Sequence, residues 1–201
     1  MVIVRTDVKS GQYFKVKVFL TLSVSRWFSL KNEIIPISLI TTGGTIEKKY
    51  DENEGTLVNK ESLVKNTILN VLRLPYSEIS LRSLLSKDSL QFTDEDRALL
   101  LSAIKEELGK NRRVLVLHGT DTMALSAQYC FDNLKNIKLP VVFTGAMKPI
   151  GFLDSDATQN VVEGLLAVKI LSPGIYLSFH NKIFTVPNVQ KNKAKGTFEE
   201  I

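Results

Sequence analysis

The sequence predicts an α/β fold, an open and mainly parallel sheet with helices on both faces. Three observations carry this reading. Short, largely apolar runs recur at Ile34–Leu39, Val114–Leu117, Val141–Thr144 and Ile175–Phe179, as expected of strands buried on both sides. Stretches of helical periodicity fall between them, so neighbouring strands are joined by right-handed crossovers rather than hairpins. Several strands stop abruptly at turns rich in Gly, Thr, Ser and Asp, which is where ligands sit in open sheets of this kind.

Taken in order, the first strand ends at Thr41-Thr42-Gly43-Gly44-Thr45, and the charged, glycine-ended segment Glu47–Gly55 reads as a mobile loop. Leu63, Ile68, Val71 and Leu72 give helical spacing across Glu61–Arg73, closed by Pro75, which predicts a crossover helix. Glu78–Leu85 is the second strand. Thr93-Asp94-Glu95-Asp96 opens a helix with a capping hydroxyl and three acids at the positive end of its dipole, and Lys110-Asn111 closes it. Strand Val114–Leu117, helix Thr122–Leu134, strand Val141–Thr144, helix Ser155–Leu171 and strand Ile175–Phe179 continue the alternation. The last segment, Asn181–Ile201, reads as a polar tail rich in Lys and Asn.

At 201 residues the chain suffices for one domain with a full core, burying roughly 70% of its unfolded surface. No run approaches the ~18 apolar residues of a membrane span, so no membrane role is expected. The net charge of +5 is concentrated in residues 1–34, where six basic residues face two acidic ones. The remainder is nearly neutral, which argues against a nucleic-acid partner. Residues 1–33 read as an N-terminal extension ahead of a domain spanning 34–201. Its apolar run Val18–Val24 is short and interrupted by Thr21 and Ser23, and no small-residue cleavage site follows, so a signal peptide is disfavoured. An added strand, a disordered leader and a start codon assigned too early stay open. The single Cys130 lies in an apolar helical pattern, is read as core and is compatible with a reducing cytoplasm.

A hydroxyl on a glycine-rich turn beyond a strand can be approached closely by a substrate, because Gly43 and Gly44 add no side chains; Thr45 is that hydroxyl. The same turn can cradle a phosphate or simply reverse the chain. The phosphate readings fit poorly, since neither G-x-G-x-x-G nor a following Gly-Lys-Ser/Thr is present. A second strand end, Val114–Met123 (VLVLHGTDTM), offers Thr120, Asp121 and Thr122 directly after Gly119. Taken alone, these threonines and the aspartate also fit helix caps. His118 and His180 are the only histidines, so neither a zinc cluster nor a Cys–His pair suggests itself, and no metal or cofactor is expected.

TTGGTIE at Thr41–Glu47, HGTDTM at His118–Met123, FTGAMKP at Phe143–Pro149 and SDATQN at Ser155–Asn160, in this order, closely resemble the bacterial-type asparaginase/glutaminase family. The resemblance runs from about Ile34 to Lys191. It implies hydrolysis of a small carboxamide, with ammonia released through a covalent acyl-enzyme and no cofactor. Thr45 then matches the nucleophile, and Thr120, Asp121 and Lys191 match the second hydroxyl, the acid and the amine. Asp121 would also receive the substrate α-ammonium. Ser89 aligns with the serine that holds the α-carboxylate, and Gly44 lies where the substrate passes beside the nucleophile. Tyr50 is the candidate for the mobile tyrosine that assists Thr45. A lysine held near a hydroxyl and a carboxylate, partly out of water, can take a proton from Thr120. His118, Met147 and Pro149 are read as packing around the sheet ends, and Asp156 and Asn160 as braces for the loops.

The resemblance also implies differences. Leu90 is apolar where a polar substrate contact is usual. Members of the family typically carry a further C-terminal domain, which completes a neighbouring subunit's site, and the sequence stops soon after Lys191. From these two features weak asparagine binding is expected, unless a homo-oligomer supplies a substitute.

Overall fold

The computed structural model describes residues 33–53, 55–59 and 63–201. The readings placed on residues 1–32 lie outside the described residues. The main sheet has six strands in the order β4-β1-β5-β6-β7-β8: β1 Ile35–Gly43, β4 Ser77–Lys87, β5 Arg113–Leu117, β6 Pro140–Thr144, β7 Gly174–Phe179 and β8 Lys182–Thr185. All neighbours pair in parallel except β7 and β8, which are antiparallel. This is the predicted open α/β sheet.

The helices divide between its faces. Helices α1 (Asp94–Gly109) and α2 (Met123–Asn133) pack with Ile40, Val116, Phe143 and Leu177 on one side. Helix α3 (Ala157–Ile170) packs on the other with Leu39, Leu115, Leu117 and Val142. Residues adjacent along a strand face opposite ways, so uninterrupted apolar strands feed both cores at once. Cys130 belongs to the first core, and burial pushes its thiol up to about 12, leaving it unreactive.

Helix α1 begins as its sequence predicts. The Thr93 hydroxyl accepts from the Asp96 backbone N–H at 3.3 Å, while the Asp96 carboxylate accepts from the Thr93 N–H at 3.0 Å. It ends at Lys110, and Asn111 takes a left-handed φ of 58°.

Three segments differ from the reading of the sequence. In place of a mobile loop after Glu47, strands β2 (Lys48–Asp51) and β3 (Thr56–Asn59) form an antiparallel hairpin, in which Tyr50, Leu57 and Val58 supply strand propensity that the surrounding charges obscured. The helix expected over 61–73 is short in its described part: Leu63 and Val64 are α-helical, and Lys65–Leu69 then widens into a π-turn. Asn70 N–H reaches back to the Lys65 carbonyl, and Val64 and Ile68 are buried. The C-terminal segment is not a tail. It forms β8, then a ribbon of β9 (Val189–Asn192) and β10 (Thr197–Glu200), because Phe184, Val186, Val189 and Phe198 are buried between outward polar residues.

Among the described residues no helix is long and apolar enough to cross a membrane. The sheet order also fixes where a ligand can enter. From β1 the chain crosses to β4 on one side and then returns to β5 on the other, so a crevice opens beyond the carboxyl ends of β1 and β5.

Candidate active site

Three strand ends meet at that crevice, and glycines allow the meeting. Gly44 holds φ 82°, and a Cβ built on it would lie 2.4 Å from the Gly119 Cα. A Cβ on Gly119 would in turn lie 2.6 Å from the Ser89 Oγ. Backbone and hydroxyl bonds close the same junction: Gly44 N–H donates to the Lys87 carbonyl at 2.9 Å, and Thr42 Oγ1 donates to the Leu117 carbonyl at 3.0 Å. The turns after β1, β4 and β5 are therefore one packed unit.

Thr45 follows directly, half-buried, as the first residue of the 3-10 turn Thr45–Glu47. Sequence reasoning passed over Glu47. Its side chain is buried, and Oε2 accepts from the Gly43 N–H at 3.0 Å, which fastens the turn that carries Thr45. An acid two residues beyond the hydroxyl, flanked by Ile46, is the signal that was available.

On the β5 side, Thr120 is buried and Asp121 partly exposed. Neither caps α2; the cap position belongs to Thr122. The Thr122 hydroxyl donates instead to the Ser89 carbonyl at 2.7 Å, tying the β4 turn to α2, a role that sequence reasoning missed. Lys191 reaches this place from β9. Its ammonium donates to Thr120 Oγ1 at 2.7 Å and to Asp121 Oδ1 at 3.0 Å, with only 17% of the side chain exposed. From the residues alone a lysine among Lys193 and Lys195 reads as a solvated charge; the ribbon is what turns it inward.

Ser89 is buried at the start of a 3-10 turn, Ser89–Gln91, and its Oγ has no hydrogen-bond partner among the described residues. Asp88 holds that turn by accepting from the Leu90 N–H at 3.0 Å. Lys48 Nζ bonds Asp88 at 2.7 Å, linking the β2–β3 hairpin to the turn. That ammonium, followed by the Leu90 N–H and with a smaller contribution from the Lys191 charge, holds the Asp88 carboxyl below the usual carboxylate range. Leu90 itself is 71% exposed. Tyr50 is 56% exposed on β2, and among the described residues its hydroxyl makes no hydrogen bond to Thr45 or Lys191. The fold thus gathers Thr45, Gly44, Ser89, Thr120, Asp121 and Lys191 around one crevice and leaves Tyr50 on the hairpin beside it.

Surrounding residues support rather than line the crevice. His118 is buried against Phe92, ring centroids 4.5 Å apart, and burial pushes its pKa down to about 4. Its Nδ1 lies 2.8 Å from the Gly119 carbonyl, which can only accept, so this nitrogen carries the proton. Asp156 accepts from the backbone N–H groups of Met147 and Lys148, each at 3.0 Å, and from Asn160 Nδ2 at 2.9 Å. Burial opposes its ionisation, yet the Met147 and Lys148 N–H groups and His180 keep its carboxyl below the ordinary range. Asn160 spans the loops by donating to the Gly145 carbonyl at 2.9 Å and accepting from the His180 N–H at 3.1 Å. A separate cavity of about 320 Å³, lined by Lys105, Leu108, Leu134 and Lys138 among others, opens at the amino ends of β5 and β6, away from this crevice.

The sequence pattern of the family described as "Asparaginase, N-terminal" matches residues 36–199. The L-asparaginase of Thermococcus kodakarensis is 31% identical over 161 residues, which cover 79% of this chain and 48% of that protein. A glutamyl-tRNA(Gln) amidotransferase component of Methanococcus vannielii is 26% identical over 168 residues, 82% of this chain and 38% of the relative. The solved structure of the thermostable T. kodakarensis L-asparaginase superposes with a TM-score of 0.75 at 28% identity, over 83% of this chain and 51% of the other. The chain thus spans about half the length of that asparaginase. Family pattern, relatives and fold agree with the crevice motifs: the chain belongs to the asparaginase family and corresponds to its N-terminal domain.

Proposed function

We propose that this chain carries the catalytic residues of an asparaginase-type amidohydrolase acting on a small carboxamide, with L-asparagine the first substrate to try. The observation that carries the reading is the Lys191 side-chain nitrogen, at 2.7 Å from Thr120 Oγ1 and 3.0 Å from Asp121 Oδ1, on the β5 side of the junction that also holds the Thr45 turn. A solvated surface lysine has no reason to be held this way; an amine that moves protons through a hydroxyl has.

In this mechanism Lys191 works as the free amine: Thr45 Oγ bonds to the amide carbon, and its proton passes through Thr120 Oγ1 to the Lys191 nitrogen, which becomes the ammonium. The carbon–nitrogen bond breaks as that proton is returned to the nitrogen, and ammonia leaves. Water then attacks the resulting ester, gives one proton to the same pair and releases the carboxylate, and the proton goes back to Thr45. Asp121 receives the substrate ammonium, and the unpartnered Ser89 hydroxyl receives the α-carboxylate. Gly44 keeps the approach to Thr45 open. The buried, free Cys130 favours a reducing compartment, and we place the protein in the cytoplasm.

One observation favours a second reading. The exposed apolar side chain of Leu90, next to Ser89, suits a domain that binds an amino-acid-like ligand without useful turnover. Relatives such as the amidotransferase component also leave room for an amide other than asparagine. A coupled ammonia assay across asparagine, glutamine and simple amides decides between these. Hydrolysis is expected from the native protein and is lost in Thr45→Ala, which still binds ligand. Ligand-induced stabilisation without ammonia release from any amide overturns the enzyme reading in favour of the binding domain.

A further inference from the structure

Only His180 and Asn181 join β7 to β8, and both hold left-handed backbones, with φ 47° and 61°. Asn-Gly is the common choice at such a turn, so a histidine there calls for a reason. The turn's backbone is held from α3: the His180 N–H donates to Asn160 Oδ1 at 3.1 Å, and the Asn181 N–H donates to Glu163 Oε2 at 2.7 Å. The imidazole is left for another use.

The ring connects two parts of the molecule. Its Nε2 lies 2.9 Å from Asp156 Oδ2, and its Nδ1 lies 3.1 Å from Thr197 Oγ1. The carboxylate can only accept, so Nε2 donates, and in the neutral ring Nδ1 is left to accept from the Thr197 hydroxyl. Asp156 is itself fixed by the Met147 and Lys148 N–H groups and by Asn160. One side of the imidazole is thus anchored in the domain, while the other reaches the first residue of β10.

Strand β10 is half of the ribbon that carries Lys191. In the ribbon's register Phe198 stands opposite Lys191, and Thr197 stands opposite Asn192. Consecutive residues at the end of β7 meet consecutive residues of β10: Phe179 packs edge-on against Phe198 with ring centroids 5.0 Å apart, and His180 bonds Thr197. A two-stranded ribbon is marginal on its own, so its contacts with the domain decide where Lys191 lies. The apolar contact is non-directional and tolerates sliding; the hydrogen bond does not.

We propose that His180 is a positioning residue for Lys191: anchored on Asp156, its ring holds Thr197 and with it the ribbon, so that the Lys191 nitrogen stays 2.7 Å from Thr120 Oγ1. The consequence for rate rests on the amidohydrolase reading, whereas the placement of Lys191 does not.

Thr197→Val and Thr197→Ser separate this role from packing. Valine keeps the shape and the strand propensity but loses the hydroxyl; serine keeps the hydroxyl and loses the other two. Trace acetylation with acetic anhydride, read by mass spectrometry against the exposed Lys193, reports how tightly Lys191 is held. Thr197→Val and the turn-compatible His180→Gly are each expected to raise the relative labelling of Lys191 by about threefold or more. The double variant should add little to either, and Thr197→Ser should stay near the native value. In the ammonia assay kcat should fall by about tenfold in Thr197→Val and in His180→Gly, with KM changed by less than about twofold, and should recover in Thr197→Ser. Circular dichroism confirms folding, and if His180→Gly does not fold, Thr197→Val and Thr197→Ser decide. Native labelling of Lys191 in Thr197→Val, a serine variant no better than the valine one, or an unchanged kcat beside raised labelling overturns the proposal. A native protein that releases no ammonia from any amide overturns the amidohydrolase reading instead, and the labelling alone then decides whether His180 places Lys191.

Discussion

Gly44 and Gly119 touch backbone to backbone, so that a methyl group on Gly44 would lie 2.4 Å from the Gly119 Cα. The contact joins the turn bearing Thr45 to the turn bearing Thr120 and Asp121, and it leaves no room for adjustment, because the obstructing atoms are main chain. Gly44 also sits at φ 82°, where an L side chain is strained. Gly44→Ala is therefore expected to cost about 1–3 kcal/mol of stability and to abolish activity by prying the two turns apart. Urea unfolding alongside the ammonia assay checks both; a variant with native midpoint and native turnover would show that the contact is loose.

Lys191 is expected to matter for rate and little for folding. On the proposed mechanism, in which Lys191 moves the proton and Thr45 is the nucleophile, Lys191→Ala and Thr45→Ala should each lower any amidase kcat by at least ~10²-fold. Both side chains are only partly buried, so thermal midpoints should move by no more than a few degrees. Native turnover in either variant removes that residue from the mechanism.

The Lys48–Asp88 pair should act on substrate recognition. It anchors the turn that presents Ser89, so Lys48→Ala is expected to raise KM severalfold for amides that carry an α-carboxylate. Simple amides lacking that group should be unaffected, and kcat should change little. Equal effects on both classes of amide would show that the pair serves general stability instead.

His118 should impose a pH dependence on stability. Its folded-state pKa of about 4 lies below the ordinary 6.5, because burial disfavours the charged ring. A depressed pKa means that the unfolded chain takes up the proton first. Stability from this group is thus complete above about pH 6.5 and is lost as pH falls toward 4, by up to about 1.4 kcal/mol per pH unit. Denaturant unfolding between pH 7 and 4 measures the slope, and ring-proton resonances measure the titration directly. A ring that titrates near 6.5 in the folded protein contradicts the assignment.

The parallel sheet was legible because runs such as Val114–Leu117 and Val141–Phe143 are apolar at every position, and that pattern has few competitors at this length. Thr45, Thr120 and Asp121 were legible because they stand at the ends of those strands. Lys191 was legible only through the family motifs. In β9 and β10 single buried residues, Val189 and Phe198, are diluted by Lys, Asn and Gln, so periodicity is lost over four-residue strands. The β2–β3 hairpin was hidden for the same reason, its charges suggesting solvent where pairing across the turn decides the conformation. Glu47, Thr122 and the Lys48–Asp88 pair act through contacts between separate turns, which no local pattern encodes.

The ribbon that delivers Lys191 has a consequence for the order in which the protein can become active. Chain synthesis runs from the amino end, and the domain's parallel strands are complete by Phe179, with Thr45, Ser89, Thr120 and Asp121 already brought to one edge. The amine arrives later, on a separate two-stranded element that contributes nothing to the hydrogen bonding of the main sheet. A nascent or partly opened molecule can thus hold a formed crevice that lacks Lys191, the proton carrier of the proposed mechanism. Slower amide hydrogen exchange in the main sheet than in β9 and β10 would reveal that division, with chemical competence gained in the final step of folding and lost in the first step of unfolding.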